Sequence, residues 1–404
     1  MDNVTHALAG ALLAAATLRL VERRTGEPPA SFRRAAFTIG VLTAELPDAD
    51  LVYSGASLGM GKLGYLLHHR GHTHTVLFAV GGAIVVWAIA LAMSRQLRSP
   101  EFARALLGLA VVGTGSHLVL DYTNSYGVHP FWPFDTGWFY GDAVFIVEPW
   151  LWIVALPPLI FVARSVAWRV LAALLLTGIL VAAWRMAMVG TGVAAVLTGG
   201  AILWLAVMRS VAPRSRVALA VVGWLSLEGM FFTAAGASRR LVAREVGDAL
   251  RDVVLSPSPG NPLCLSALVV TEQQGIYRVS SATVAPAWRL HPAAACRSNA
   301  RGLSGAVASD LPRSPAIEWG GSWSAPVSEL RQIATGNCEV AAALRFIRVP
   351  IWRQGPNGDV TVSDLRFGEG EGSFASIEAR SSASCPHPVP NWEWPRHDLL
   401  GAAP

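Results

Sequence analysis

The sequence predicts a mainly α, polytopic membrane helical bundle of about eight transmembrane helices, followed by a smaller β-rich domain. Three observations carry this prediction. The 404-residue chain is 52% hydrophobic and 15% charged, whereas ordinary soluble proteins carry about 25% charged residues. Apolar runs near the ~20 residues that cross hydrocarbon recur along the first 235 positions. Beyond position 236 those runs stop, and proline, serine and glycine rise.

The expected spans are roughly 4–20, 35–53, 75–93, 103–120, 148–164, 168–187, 190–208 and 216–235. No basic residue precedes the first, and a positive cluster follows it, so it reads as an uncleaved span rather than a signal peptide. The second is interrupted near its end by "ELPDAD". Arg19, Arg23, Arg24, Arg33 and Arg34 fall between spans one and two, and Arg95, Arg98 and Arg104 between three and four. Arg164 and Arg169 follow span five, and Arg209, Arg214 and Arg216 follow span seven. Every second loop is basic, and short basic loops stay in the cytoplasm, so both termini are expected outside. Topology therefore accounts for much of the positive charge. Arginine is scattered along the chain and Lys62 is the only lysine, so no basic stripe for nucleic acid is present and nucleic acid is not an expected partner.

The stretches "LCLSALVVT", "GIYRVSSATV", "LRFIRVPIW" and "VTVSDLRF" have β character, the last two joined through the hairpin-type turn "GPNGD". All four cysteines, Cys264, Cys296, Cys338 and Cys385, lie in this part. An even count confined to one extramembrane region reads as up to two disulfides in an oxidising compartment, with three pairings open, against the plain structural reading of buried free thiols. The cysteines agree independently with the outward placement that the arginines give. The expected organisation is a membrane domain at 1–155 bearing the chemistry, further transmembrane helices at 156–235, and an extracytoplasmic β-rich domain at 236–404.

Seven of the ten histidines precede residue 130, and they collect at helix ends on the outer side. His6 opens span one, "ELPDAD" with Asp48 and Asp50 closes span two, "HHRGHTH" opens span three, and "HLVLD" closes span four. Asp2 with His6, and His117 with Asp121, are i,i+4 pairs that share a helix face. Imidazole and carboxylate together suit zinc or another borderline first-row ion, and the spacing of Asp48 from Asp50 lets one carboxylate bridge two ions. Each residue has a plain structural reading when taken singly: a helix-start polar group for His6, interfacial residues for His68 and His72, a turn cap for Asp48, a helix-end carboxylate for Asp121. Their coincidence at one membrane level favours a metal site, because clustered ionisable groups in a membrane are functional by default. The stretch 122–150 holds ten aromatic residues, which suits an interfacial belt or a re-entrant lid; Asp142 and Glu148 within it read as solvated loop residues. "GMGKLG" at 59–64 fits a dinucleotide fingerprint in letters but follows no strand.

With these motifs in hand, the chain resembles the YdjM-type metal-dependent hydrolases of the prokaryotic inner membrane, a family also described as LexA-binding. The resemblance covers roughly residues 1–155 and rests on Thr5–His6, on Pro47, Asp48 and Asp50, on His69, Arg70, Gly71, Thr73 and His74, and on His117, Leu118 and Asp121. His72 fills a variable position, and Thr75 stands where serine is common. A looser likeness runs to zinc-dependent phospholipases C. The resemblance implies a divalent metal, Zn2+ being the best-suited ion, as one or two ions held by His6, Asp48, Asp50, His69, His74, His117 and Asp121. It implies a metal-activated water, with Asp50 as proton acceptor and Arg70 steadying negative charge on a phosphoryl oxygen. Arg70, Thr73 and Asn124 are the expected substrate contacts. The expected substrate is a lipid or lipid-linked phosphoester reached from the bilayer, with an envelope protein as a partner of 236–404. The rival expectations are a non-catalytic metal-binding sensor or scaffold and a metal transporter, the latter placing its ligands near mid-membrane.

Overall fold

The computed structural model describes residues 1–54, 61–297, 303, 306–308, 311–355, 359–370, 372–379 and 388–401. Among the described residues, ten α-helices build the first part: α1 (Asn3–Thr25), α2 (Ala30–Glu45), α3 (Leu51–Ser54), α4 (Gly61–His68), α5 (Val76–Met93), α6 (Pro100–Tyr122), α7 (Pro149–Val162), α8 (Val166–Arg185), α9 (Thr191–Ser210) and α10 (Pro213–Val246). Of "GMGKLG", Gly61–Gly64 open α4, and positions 59 and 60 lie outside the described residues.

Six of these helices, α1, α5, α6, α8, α9 and α10, are long and apolar enough to cross a membrane. The protein is a multi-pass membrane protein with fewer crossing helices than the eight expected. The two shortfalls have local causes. α2 has 16 residues and gives way at Pro47 to the 3-10 turn Leu46–Asp50, because proline cannot continue the α-helical hydrogen-bond ladder. α7 has only 14 residues and carries Pro157 and Pro158 near its end.

Caps and close contacts fix the helix ends that matter. Asp2 caps α1 by accepting from the Thr5 N–H at 3.0 Å, and Thr75 caps α5 by accepting from the Phe78 N–H at 3.0 Å. α1 and α2 cross at Gly10 and Gly40, where a Cβ on either would overlap the other's carbonyl; small residues let membrane helices approach this closely. At Gly113 of α6 a Cβ would overlap the Thr43 hydroxyl of α2. The starts of α1 and α5 and the ends of α2 and α6 therefore share one end of the bundle. The arginine-rich turns occupy the other.

α10 continues past 236, and the first strand begins at Leu250. β1 (Leu250–Ser258), β2 (Asn261–Gln273), β3 (Ile276–Val284), β4 (Val307–Ala308) and β5 (Ile317–Pro326) form an antiparallel sheet in the order β1-β2-β3-β5-β4. β6 (Pro350–Gln354), β7 (Val360–Asp364) and β8 (Ser376–Ala379) form a second antiparallel sheet. The β6–β7 hairpin turns at "GPNGD", whose middle positions 356–358 lie outside the described residues. α11 (Val327–Gly336), α12 (Cys338–Ala343) and α13 (His397–Leu400) complete the domain. Cys264 is bonded to Cys296 and Cys338 is also disulfide-bonded, while Cys385 lies outside the described residues.

The β-rich part sits on the site end of the bundle. Trp392 donates its indole N–H to the Leu67 carbonyl at 2.7 Å, and Arg366 Nη1 donates to the Ser125 carbonyl at 2.6 Å. Asp142, expected in a solvated loop, is buried and receives both Arg348 (2.9 Å) and Arg239 (2.8 Å). Glu148, expected likewise, is buried; it caps α7 and accepts from the Gly260 N–H at 3.1 Å. Both corrections have one cause: each carboxylate gains a partner far away in sequence from the β-rich part, Arg348 for Asp142 and Gly260 for Glu148. The aromatic stretch 122–150 thus lies between bundle and β domain, with His129 stacked on Trp392 at 3.9 Å.

Candidate metal centre

His6 lies in the opening turns of α1, and Asp48 and Asp50 in the 3-10 turn that follows α2. His69 and Arg70 follow α4, His74 ends the 3-10 turn His72–His74 before α5, and His117 and Asp121 close α6. These residues come together. His74 Nε2 lies 3.4 Å from Asp48 Oδ1, 3.0 Å from Asp121 Oδ2 and 3.1 Å from His117 Nε2. His117 Nε2 lies 3.5 Å from Asp48 Oδ1 and 3.3 Å from Asp121 Oδ2. Four ligand atoms at about 2.0–2.1 Å from one tetrahedral ion stand about 3.3 Å from each other. Five of the six edges therefore match a tetrahedral cage, and the residues present fit a zinc-like ion.

The imidazoles are aimed from behind. His117 Nδ1 bonds the Ala44 carbonyl at 2.5 Å, and His74 Nδ1 faces Asp50 Oδ2 at 3.3 Å and Thr73 Oγ1 at 3.1 Å. With Nδ1 facing acceptors, each ring in its neutral form turns an Nε2 lone pair into the cage, the usual arrangement behind a metal-binding histidine. Asp121 Oδ2, which points into the cage, has no hydrogen-bond partner among the described residues.

The remaining expected residues surround this group. His6 stacks on His117 with ring centroids 3.7 Å apart and places Nε2 3.2 Å from Asp121 Oδ1. The Met1 main-chain nitrogen bonds the same oxygen. Asp50 has both oxygens engaged: Oδ1 faces His69 Nδ1 at 2.9 Å, while Oδ2 accepts from the Arg70 N–H and the Thr73 hydroxyl, each at 2.9 Å. Thr73 is therefore spent on Asp50. Asp48, Asp50 and His69 nonetheless offer one ligand atom each within 4.8 Å, a second group able to hold an ion. Arg70 adopts φ 60°, a left-handed backbone uncommon outside glycine, and is held there by Asp50, by Asp121 Oδ1 at 2.8 Å and by Asn124 Oδ1 at 3.1 Å.

Electrostatics favour a cation in the cage. Burial alone would lower the His74 pKa, but the carboxylates of Asp121, Asp48 and Asp50 outweigh it and push it up to about 10. Burial would likewise raise Asp48 and Asp50; the imidazoles of His117 and His74 hold Asp48 well below the usual carboxylate range, and those of His69 and His74 do the same for Asp50. His69 itself is lowered by burial. Three buried or nearly buried carboxylates face one permanent cation, the Arg70 guanidinium, and such charge is costly without a counter-ion.

Some sequence candidates fall outside. His72 packs against Trp132 and Trp392, and Asp2 caps its helix. Cys264, His291 and Cys296 also lie close together, but the two sulfurs are bonded to each other. Reading the sequence alone missed Asn3, which bridges Glu45 Oε2 and Asp48 Oδ2 at 3.0 Å each, and Tyr126, whose ring lies 4.6 Å below the Arg70 guanidinium. The "ELPDAD" run contained a signal for Glu45; nothing marked Tyr126.

Residues 1–192 match the family model described as YdjM inner membrane protein. The match runs beyond the expected 155 and contains every residue of the cage, while the β-rich part lies outside it. No curated protein and no solved structure matches the chain.

Proposed function

We propose, from the YdjM-type match and the cage it contains, that this protein is a membrane-embedded metal-dependent hydrolase acting on a phosphoester. Asp48, His74, His117 and Asp121 hold the ion. When bound, it supplies Lewis acidity toward water and a phosphoryl oxygen. The Ala44 carbonyl, Thr73 and Asp50 fix the ring orientations, and His6 backs His117 by stacking. Asp50 is saturated with hydrogen bonds, so we assign proton transfer to the imidazole it orients: His69, with Nδ1 on Asp50, keeps Nε2 for accepting a proton. Arg70 presents positive charge to a phosphoryl oxygen.

The observation that carries this reading is the set of five donor–donor distances of 3.0–3.5 Å among four residues from three segments. The helix-end position of the ligands favours an enzyme at the membrane rim over a transporter with mid-bilayer ligands. That depth suits a lipid or lipid-linked substrate. The arginine alternation and the Cys264–Cys296 disulfide support an outward, extracytoplasmic placement of the site end and the β-rich domain. Metal analysis of purified wild-type protein beside His117→Ala and Asp48→Ala tests the reading: a stoichiometric ion in the wild type alone supports it, and equal, negligible metal in all three removes it.

A further inference from the structure

We infer that Arg70, Asn124 and Tyr126 form a seat for a tetrahedral oxyanion with the chemistry of phosphate, completed by the β-rich domain. The inference rests on the hydrolase reading and gives its substrate a recognition element.

Arg70, Asn124 and Tyr126 are 3%, 5% and 7% exposed. Arg70 Nε, Asn124 Nδ2 and Tyr126 Oη are all buried without a hydrogen-bond partner among the described residues, and one such group is already uncommon. The three residues touch. Asn124 Oδ1 accepts from Arg70 Nη1 at 3.1 Å and from the Tyr126 N–H at 2.9 Å. Two donors on that oxygen fix the amide's orientation, so the unpartnered end is the NH2 group. The guanidinium lies over the Tyr126 ring, and its Nη2 is already committed to Asp121 Oδ1 at 2.8 Å. What remains is an N–H, an NH2 and a phenolic O–H, the first of them on a charged guanidinium. Such a set of donors calls for an anionic acceptor with several oxygens.

Tyr126 owes its position to the β-rich domain. Its ring packs on Phe346, Phe367 and Phe374, and Arg366 Nη1 donates to the carbonyls of Ser125 and Tyr126 at 2.6 and 3.2 Å. None of these four partners lies within the 1–192 match. The β-rich domain therefore helps to build the site.

The test uses the full chain in detergent, with metal content and binding of two probes measured on the same samples: inorganic phosphate and short-chain phosphatidic acid. Tyr126→Phe removes only the hydroxyl, and Asn124→Asp keeps the acceptor for Arg70 and Tyr126 while removing the NH2. Both variants should keep the wild-type metal content and bind at least one probe about tenfold or more weakly, as losing a hydrogen bond to a charged acceptor does. Weakening of phosphatidic acid, with or without phosphate, assigns the seat to a lipid headgroup; weakening of phosphate alone assigns it to a soluble phosphate. Unchanged binding of both probes with metal retained overturns the seat and leaves the metal reading intact. Absence of metal from the wild type overturns the metal reading, and the probe comparison then still decides the seat.

Discussion

His74 and His117 point their Nε2 atoms at each other across 3.1 Å, although 43 residues separate them. Two imidazole lone pairs this close repel unless something positive lies between them. Both rings present Nδ1 to acceptors on the far side, so the face-to-face arrangement is imposed by the fold. Asp48 and Asp121 then add two carboxylate oxygens to the same space.

Replacing Asp50 should weaken metal binding without abolishing it. Asp50→Asn removes a charge behind His74 but none of the four cage atoms, and loss of such an outer partner typically costs about 10–100-fold in metal affinity. A zinc competition titration measures this.

Replacing His69 separates one ion from two. In the one-ion reading, His69→Gln keeps the wild-type metal content and loses about 10²–10⁴ in rate on bis(p-nitrophenyl) phosphate, the range for a positioned base. A drop from two ions per chain to one would assign His69 to the second group with Asp48 and Asp50.

The same base sets a pH dependence. Burial lowers the His69 pKa from its ordinary 6.5, and the neutral ring is the active form. The rate is therefore full near neutrality and falls as pH drops through a value below 6.5; a pH–rate profile with its acid limb above 6.5 would contradict the assignment.

Acid should also loosen the β-rich domain. Burial would raise the Asp252 carboxyl, but Arg348 and Arg396 hold it below its ordinary 3.8. Its stabilising contribution is complete above 3.8 and is lost as pH falls through the lower, folded value. Limited proteolysis below pH 4 should release the domain, and Asp252→Asn should shift that release toward neutral pH.

The α1–α2 crossing is sensitive to a single methyl group. Gly10→Ala sets a Cβ against the Gly40 carbonyl, and such overpacking costs about 1–3 kcal/mol. Thermal unfolding in detergent should show the loss, and Gly108→Ala, where a Cβ meets nothing, should be neutral by comparison.

The cage was legible in the sequence because its parts are local motifs at helix ends: "LPDAD", "RGHTH" and "HLVLD" each carry their spacing with them. The arginine pattern put those ends on one side. What could not be read depends on distant packing. Tyr126 is one tyrosine among ten aromatic residues, and only Phe346, Phe367 and Phe374, more than two hundred positions later, single it out. Asp142 reads as a loop residue until Arg348 reaches it. Asp50 looked like a free carboxylate because a sequence does not reveal that a main-chain N–H, a hydroxyl and two imidazoles converge on it. The count of crossing helices is lower than expected because apolarity alone does not register where Pro47 stops α2 or how short α7 is.

X-ray absorption at the edge of the bound metal, on protein purified without chelators, tests the cage most directly. The expected spectrum has only nitrogen and oxygen neighbours at about 2.0–2.1 Å, with an imidazole signature from two rings, and loses half of that signature in a reloaded His117→Ala protein. Sulfur neighbours, or a spectrum unaltered by His117→Ala, would contradict the account.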